Sequence, residues 1–378
     1  MLYELISWLN KIYSPPGFGA FDYITTRTAF AAAFALLISL FAGKKIIRWL
    51  QKMQLKENIR EDLGLKSHLS KADTPTMGGV IIILATLVPA LLWMRMNSIY
   101  TWVIIYVVIV LGIVGFLDDY IKTVRKDKAG LHGWNKVIGQ VMVGTVLGVI
   151  LYFWPAFQDY NTITTVPFLK EVHIDYAFFG EEWGWVIYIP VVIFIITAVS
   201  NAANLTDGLD GLLSGTSAIA GVILGIFAYV SGRVDFSEFL NIMYLPGSGE
   251  LTIFAASLVG ACLGFLWYNS YPASVFMGDT GSLAIGGALG ALAVMIHKEL
   301  LLPIICGIFF VETLSVIIQT TWFKYTKKKY GTGRRVFLMT PIHHHFEKQG
   351  WPESKIVVRF WIIAILLGIL SLLTLKLR

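Results

Sequence analysis

Hydrophobic positions along this chain fall into long unbroken runs, with polar residues gathered into the stretches between them. Ten runs approach or reach the length that crosses a hydrocarbon core of about 30 Å. They cover roughly 25–43, 77–96, 100–117, 137–154, 183–199, 212–230, 252–268, 282–297, 300–323 and 356–375. The run at 282–297 is the shortest and is rich in glycine, which close helix packing in lipid tolerates. This pattern predicts an all-α polytopic membrane protein, one bundle over residues 1–378 with about ten transmembrane helices. The segment 155–182 is polar and irregular and predicts a short hairpin. The segment 324–355 is basic and interrupted by Pro341 and Pro352, which suits a short amphipathic element on the membrane surface.

Composition agrees with that pattern. Of 378 residues 56% are hydrophobic and only 14% charged, with mean hydropathy +0.69. A soluble domain carries about 25% charged residues. Met1–Lys11 lacks the basic start and apolar core of a cleavable signal peptide. Cys262 and Cys306 both lie inside apolar runs and read as small buried hydrophobes, not as a disulfide or a metal site.

The basic residues are sorted by loop. Segments 44–76, 118–136 and 324–355 hold eight, five and eight Lys plus Arg, and the loops on the opposite side hold seven. The positive-inside rule places the richer side in the cytoplasm, so both termini are expected to be periplasmic. Every polar cluster with chemical potential falls on that same side, at 68–79, 118–136, 200–211, 269–281 and 334–346. An active site open to the cytoplasmic face follows as an expectation.

Gly115–Lys122, reading G-F-L-D-D-Y-I-K, ends one apolar run in two aspartates. Neighbours on a helix point about 100° apart, so Asp118 and Asp119 must face different surroundings. Lys122 lies one turn after Asp118, close enough to pair with it; taken alone, the motif is an ordinary helix end with a surface ion pair. Asn201–Gly211 reads N-A-A-N-L-T-D-G-L-D-G. A cap and turn would use one such residue. Asn204, Asp207 and Asp210 together are enough to hydrogen-bond a base and ribose or to brace a metal ion. Asn269–Ser282 reads N-S-Y-P-A-S-V-F-M-G-D-T-G-S. Asp279 between two glycines suits Mg²⁺, a hard cation that takes oxygen ligands, and it equally suits a helix cap; Phe276 is either a platform for a flat base or ordinary packing. Pro341–Glu347 reads P-I-H-H-H-F-E. Consecutive histidines diverge and do not make one zinc site, but they suit phosphate charge or proton handling beside Arg334 and Arg335. Lys71, before an apolar run, is either a snorkelling side chain or, with Lys122 and Lys136, a cationic lining for a diphosphate. Acids, lysines and histidines on one membrane face point to phosphoryl chemistry, which rests on positioning and on charge neutralisation. No P-loop and no G-x-G-x-x-G after a strand is present, which argues against a P-loop ATPase or a Rossmann enzyme.

Five of these stretches occur in a distinctive order: S-K-A-D-T-P-T-M-G-G (70–79), D-D-Y-I-K (118–122), N-L-T-D-G-L-D-G (204–211), F-M-G-D-T-G-S (276–282) and P-I-H-H-H-F-E (341–347). Through them the chain resembles, nearly end to end, the phospho-N-acetylmuramoyl-pentapeptide-transferase family of the polyprenyl-phosphate N-acetylhexosamine-1-phosphate transferase superfamily. The triple histidine favours that branch over relatives that use N-acetylglucosamine phosphate. The resemblance implies a Mg²⁺-dependent enzyme of the bacterial inner (cytoplasmic) membrane. It would pass phospho-MurNAc-pentapeptide from UDP-MurNAc-pentapeptide to undecaprenyl phosphate, giving lipid I and UMP in peptidoglycan synthesis. By the same resemblance Asp279 is the Mg²⁺ ligand and Asp118 and Asp119 form the catalytic pair, with Asp118 as base or nucleophile. Lys71, Lys122 and Lys136 bind phosphate; Asn204, Asp207, Asp210, Asn269 and Phe276 shape the nucleotide side; His343, His344 and His345 form the pocket rim. The lipid bilayer is the expected surrounding, a homodimer the expected assembly, and no nucleic acid is expected as a partner. A sister transferase using UDP-GlcNAc and a secondary transporter remain as rival expectations. Transporters place polar sites at the midplane and in repeats, and neither is visible here.

Overall fold

A computed structural model describes residues 1–53, 74–127, 129–157, 160, 162–169, 172–178 and 180–376. It is almost wholly helical. In chain order the helices are α1 (Leu2–Tyr13), α2 (Ile24–Lys52), α3 (Gly79–Trp93), α4 (Ile99–Thr123), α5 (Gly133–Phe153), α6 (Trp185–Thr206), α7 (Leu212–Ser231), α8 (Val234–Leu240), α9 (Gly249–Asn269), α10 (Gly278–Met295), α11 (Leu302–Ile305), α12 (Gly307–Tyr330), α13 (Ile342–Lys348) and α14 (Glu353–Leu373). Among the described residues eight of these are long and apolar enough to cross a membrane: α2, α4, α5, α6, α7, α9, α10 and α14. A ninth candidate is the stretch Glu299–Ile305 joined to Gly307–Tyr330, bent by 83° at the break. Helix α3 is apolar but only 15 residues long. Each of the ten apolar runs therefore maps onto helix, and the chain has the make-up of a polytopic membrane protein.

Two departures come from polar periodicity. Helix α2 runs on to Lys52, because Gly43, Ile47 and Leu50 keep a buried stripe beneath its basic residues. Helix α1 forms from the amphipathic sequence LYELISWLNKIY, which is too polar to register as a span. The expected hairpin in 155–182 exists as β1 (Ile163–Thr165) paired antiparallel with β2 (His173–Asp175), Thr164 opposite Ile174. This is a small exception to an all-α fold. Both cysteines are buried and free.

Helix α10 is the axis of the bundle, and almost every residue beyond its first turn is buried. Its glycines and alanines let α4, α6 and α3 approach closely. A Cβ on Gly79 would overlap the Gly281 backbone, and one on Gly115 would overlap the Asp279 carbonyl oxygen. These two contacts lock α3 and α4 onto the start of α10. At one end of the bundle a buried ion pair joins α2 to α9: Arg27 Nη1 and Nη2 donate to Glu250 Oε2 and Oε1 at 2.9 and 2.8 Å. Arg27 also donates to the Trp93 carbonyl and lies 4.3 Å from the Tyr3 ring centre. The hairpin sits at that same end. There Thr165 donates to the His297 carbonyl and accepts from Lys298 Nζ at 3.0 Å. Burial and the neighbouring Lys298 ammonium push the His297 imidazole down to about 4. Span α2 begins and α14 ends at this end of the bundle; the aspartates lie at the other.

Candidate active site

Four helix termini converge at that second end. Helix α4 delivers Asp118 and Asp119 on its last turns, and α5 brings Lys136 in its first turn. The last turn of α6 contributes Asn204, and α10 opens with Asp279. The two adjacent aspartates do face different ways. Asp118 accepts from the Leu131 backbone N–H at 2.7 Å and meets Lys122 Nζ at 2.5 Å and Lys136 Nζ at 2.9 Å. Asp119 turns to the N-terminus of α10. It accepts from the N–H groups of Asp279 (3.1 Å) and Thr280 (2.9 Å) and from the Thr280 hydroxyl (2.6 Å). A carboxylate supplied by another helix thus satisfies donors that α10's own first turn leaves open. Gly278, at φ 74°, makes the turn, and a Cβ there would press on the Asp119 carboxylate.

Asp279 completes the cluster. Its Oδ2 meets Lys136 Nζ at 2.5 Å and Lys122 Nζ at 3.2 Å, and its Oδ1 accepts from Asn204 Nδ2 at 2.8 Å. Asn204 also donates to Ser282 Oγ at 2.9 Å, which fixes its amide. Asp118, Asp119 and Asp279 each offer an oxygen within 4.8 Å of the others. Like charges at such distances repel by about 4 kcal/mol per pair at an effective dielectric of 20. The two shared ammoniums offset that repulsion: three carboxylates and two ammoniums carry a formal charge of one minus when all are ionised.

The stretch before α3 is stitched to the stretch before α10. Phe276 N–H donates to the Pro75 carbonyl (2.9 Å), and the N–H groups of Gly78 and Gly79 donate to the Phe276 and Met277 carbonyls (both 2.8 Å). The T-P-T-M-G-G turn thus borders the Asp279 turn. Lys71 lies outside the described residues. Phe276 is half-buried in this strip.

The remaining expected residues divide between pocket and scaffold. Asn269 is buried: its Oδ1 accepts from Gly211 N–H and Ser214 Oγ, and its Nδ2 donates to the Val275 carbonyl at 3.0 Å. Asp210 accepts from Ala273 N–H at 3.0 Å, and its own N–H donates to Glu353 Oε1 at 2.7 Å. Both join the turn after α6 to the turn before α10, and Asp207 lies half-buried at the start of the former. His343 is placed beneath the surface, not on a rim: its Nδ1 lies 3.1 Å from Glu312 Oε1, and its ring packs on Gly208. His344 is partly covered and pairs with Glu347 at 2.6 Å; His345 is half-buried, its Nδ1 accepting from Leu338 N–H. Glu312 and Glu353 lie outside all five sequence motifs. A carboxylate inside the apolar run 300–323 was the available signal for Glu312; Glu353, at the foot of a span, gave none.

A family-4 glycosyl transferase model matches residues 101–297, which hold the aspartates and Lys136, so the chain belongs to that class of glycosyl transferases. A phospho-N-acetylmuramoyl-pentapeptide-transferase signature matches residues 71–83. Full-length relatives carrying that name are 53% identical in Flavobacterium johnsoniae, in Salinibacter ruber and in Chloroherpeton thalassium, each alignment covering all of both chains. The chain belongs to the phospho-N-acetylmuramoyl-pentapeptide-transferase family.

Proposed function

We propose that this chain transfers phospho-MurNAc-pentapeptide from UDP-MurNAc-pentapeptide to undecaprenyl phosphate, giving lipid I and UMP. The observation that carries this reading is the Asp118–Lys122–Lys136–Asp279 cluster, built at one end of a helical bundle in a chain aligned end to end with that family.

The donor set suits Mg²⁺. All three clustered groups are hard carboxylate oxygens, and no sulfur or imidazole stands among them. Asp119 is held by the backbone N–H groups and hydroxyl of α10's own first turn, whereas Asp118 and Asp279 meet lysine side chains that can swing away, so Asp279 and Asp118 are the residues that would hold the ion. A bound Mg²⁺ supplies charge neutralisation on the diphosphate. Lys122 and Lys136, now shared by two carboxylates, are placed to take phosphate oxygens. The reaction we favour is direct displacement. An oxygen of the ionised acceptor phosphate bonds to the β-phosphorus of the UDP-sugar, and the bond from that phosphorus to the bridging oxygen breaks, so that UMP leaves. Asp118 orients the acceptor or takes a residual P–OH proton. A phosphosugar trapped on Asp118 when enzyme is given only the UDP-sugar would replace this route with a two-step one.

The finer topology belongs to the same proposal: ten spans, counting α3 and the bent pair, both termini periplasmic, and the cluster facing the cytoplasm of the inner membrane. The charge sorting of the loops supports that orientation. A homodimer is part of it too, and light scattering on the detergent-purified chain checks it.

The deciding experiment supplies purified protein in detergent with undecaprenyl phosphate, Mg²⁺ and either UDP-MurNAc-pentapeptide or UDP-GlcNAc. UMP and a lipid-linked product from the first alone are expected. Turnover of UDP-GlcNAc alone would move the chain to the sister transferases, and no product from either would favour a transporter. Asp279→Ala should abolish turnover and Mg²⁺ binding with the fold retained.

A further inference from the structure

Helix α14 carries two basic residues that the site does not use. Lys355 and Arg359 are one turn apart, and both are exposed. They converge on the Trp351 indole, the Arg359 guanidinium 4.3 Å and the Lys355 ammonium 5.5 Å from the ring centre. Like charges at this spacing disfavour a helix, and Arg359 lies on the second turn of an apolar span, at the depth where a long basic side chain reaches the headgroup region. Among the described residues neither has a carboxylate partner. The nearest acids in sequence are engaged elsewhere, Glu347 with His344 and Glu353 with the Asp210 N–H.

Beside this cationic pair runs an apolar groove of about 330 Å³. Ile356 and Phe360 form its floor, Ile362 and Ile363 are its exposed wall, and Phe346 stacked on Trp351 at 4.9 Å closes one end. Arg359 lines the groove itself. Charge and shape together describe an amphiphile: an anionic head on the two cations and a hydrocarbon tail along Ile356, Phe360 and Ile363.

We propose that this groove is a binding site for one anionic glycerophospholipid, with its phosphodiester on Arg359 and Lys355. A guanidinium engages such a phosphate through two parallel N–H donors. A structural lipid fits better than the acceptor substrate. Helix α14 packs chiefly on α7, α11, α12 and α13, whereas Asp118, Asp119 and Asp279 are carried by α4 and α10. A phosphate held at Arg359 therefore sits on a different set of helices from the reacting groups. The Glu353 contact to Asp210 links the foot of α14 to the turn after α6, so an occupied groove braces that turn from behind.

The test uses the full chain, stripped of lipid in detergent and titrated with POPG or POPC, with adducts counted by native mass spectrometry. Each basic residue near an anionic headgroup contributes a preference of roughly fivefold. The wild type should retain one POPG molecule roughly 25-fold more strongly than POPC. The double variant Lys355→Gln/Arg359→Gln should bring that ratio near one, while Lys327→Gln leaves it unchanged. Ile363→Trp fills the groove with both charges intact and should also release POPG, which keeps the proposal testable if the double variant folds poorly. Unaltered POPG retention in both variants would overturn the site. So would unaltered retention accompanied by a raised KM for undecaprenyl phosphate, which would assign Arg359 to the acceptor.

Discussion

Asp119 is the residue whose role the geometry changes most, and its substitution gives the sharpest prediction. The carboxylate touches neither lysine of the cluster; it holds the first turn of α10, and through that turn the position of Asp279. Asp119→Asn keeps the shape but turns one acceptor into a donor aimed at an N–H. One hydrogen bond is lost and a buried donor is left unsatisfied, at a cost of about 1–3 kcal/mol. Losing a charge at a helix N-terminus adds up to about 2 kcal/mol. A total near 3 kcal/mol, spent on placing Asp279, corresponds to a roughly 10²-fold fall in kcat. Because Asp279 is the proposed metal ligand, the Mg²⁺ concentration for half-activation should rise as well. Thr280→Val removes only the hydroxyl bond, at about 1 kcal/mol or fivefold, and the double variant should fall short of the product of the two losses, because both act on one turn. UMP release measured across a Mg²⁺ titration reads both parameters, and melting in detergent checks that the fold survives. If Asp119→Asn kept kcat and half-activating Mg²⁺ within twofold of wild type, the positioning argument would be wrong.

Three further outcomes follow from the packing. Arg27→Ala leaves the buried Glu250 carboxylate with only the Arg95 backbone N–H at 2.9 Å and the half-exposed Arg95 guanidinium at 3.6 Å, and should cost about 3 kcal/mol, seen as a drop in apparent melting temperature; Arg27→Met/Glu250→Met should recover part of it. Gly115→Ala places a methyl against the Asp279 carbonyl, so α4 and α10 must part; activity should fall at least tenfold with the melting point lowered, and an unimpaired variant would mean that these helices have slack. His297 is neutral when buried, with its folded value depressed to about 4 from an ordinary 6.5. Protonation therefore favours the unfolded chain: the stability is complete above pH 6.5 and is lost as pH falls from 6.5 toward 4, about 2 kcal/mol at pH 5. Melting curves of wild type and His297→Asn compared from pH 7.5 to 5 should diverge by this amount, a comparison in which every other titrating group cancels.

The sequence was most readable where a single periodicity governed a long stretch. All ten apolar runs became helix, because lipid requires backbone groups to bond within the segment. The i, i+4 pairing of Asp118 with Lys122 and the divergence of Asp118 from Asp119 were fixed by helical geometry alone. The partner that Asp119 faces was not readable, since it lies 160 residues further along the chain. The break at Cys306 lay inside one continuous apolar run; Pro303 and Gly307 flank it, but neither residue by itself dictates an 83° bend. The polar motifs announced chemistry but not the division of labour. Asn269 and Asp210 look in sequence like ligands for a nucleotide, and their side chains are spent largely on joining two turns. His343, one of three identical neighbours, is the one turned inward, which only tertiary packing against Gly208 and Glu312 decides.

The ammoniums of Lys122 and Lys136 resting on Asp118 and Asp279 have a thermodynamic corollary. A divalent ion arriving alone must evict two ammoniums from the carboxylates that pair with them, and a diphosphate arriving alone must draw those ammoniums away from carboxylates that are then left bare. Arriving together, each guest takes over the partner that the other displaces. Metal and nucleotide-sugar affinities are thereby bound to rise in step, each strengthening the other by the same factor.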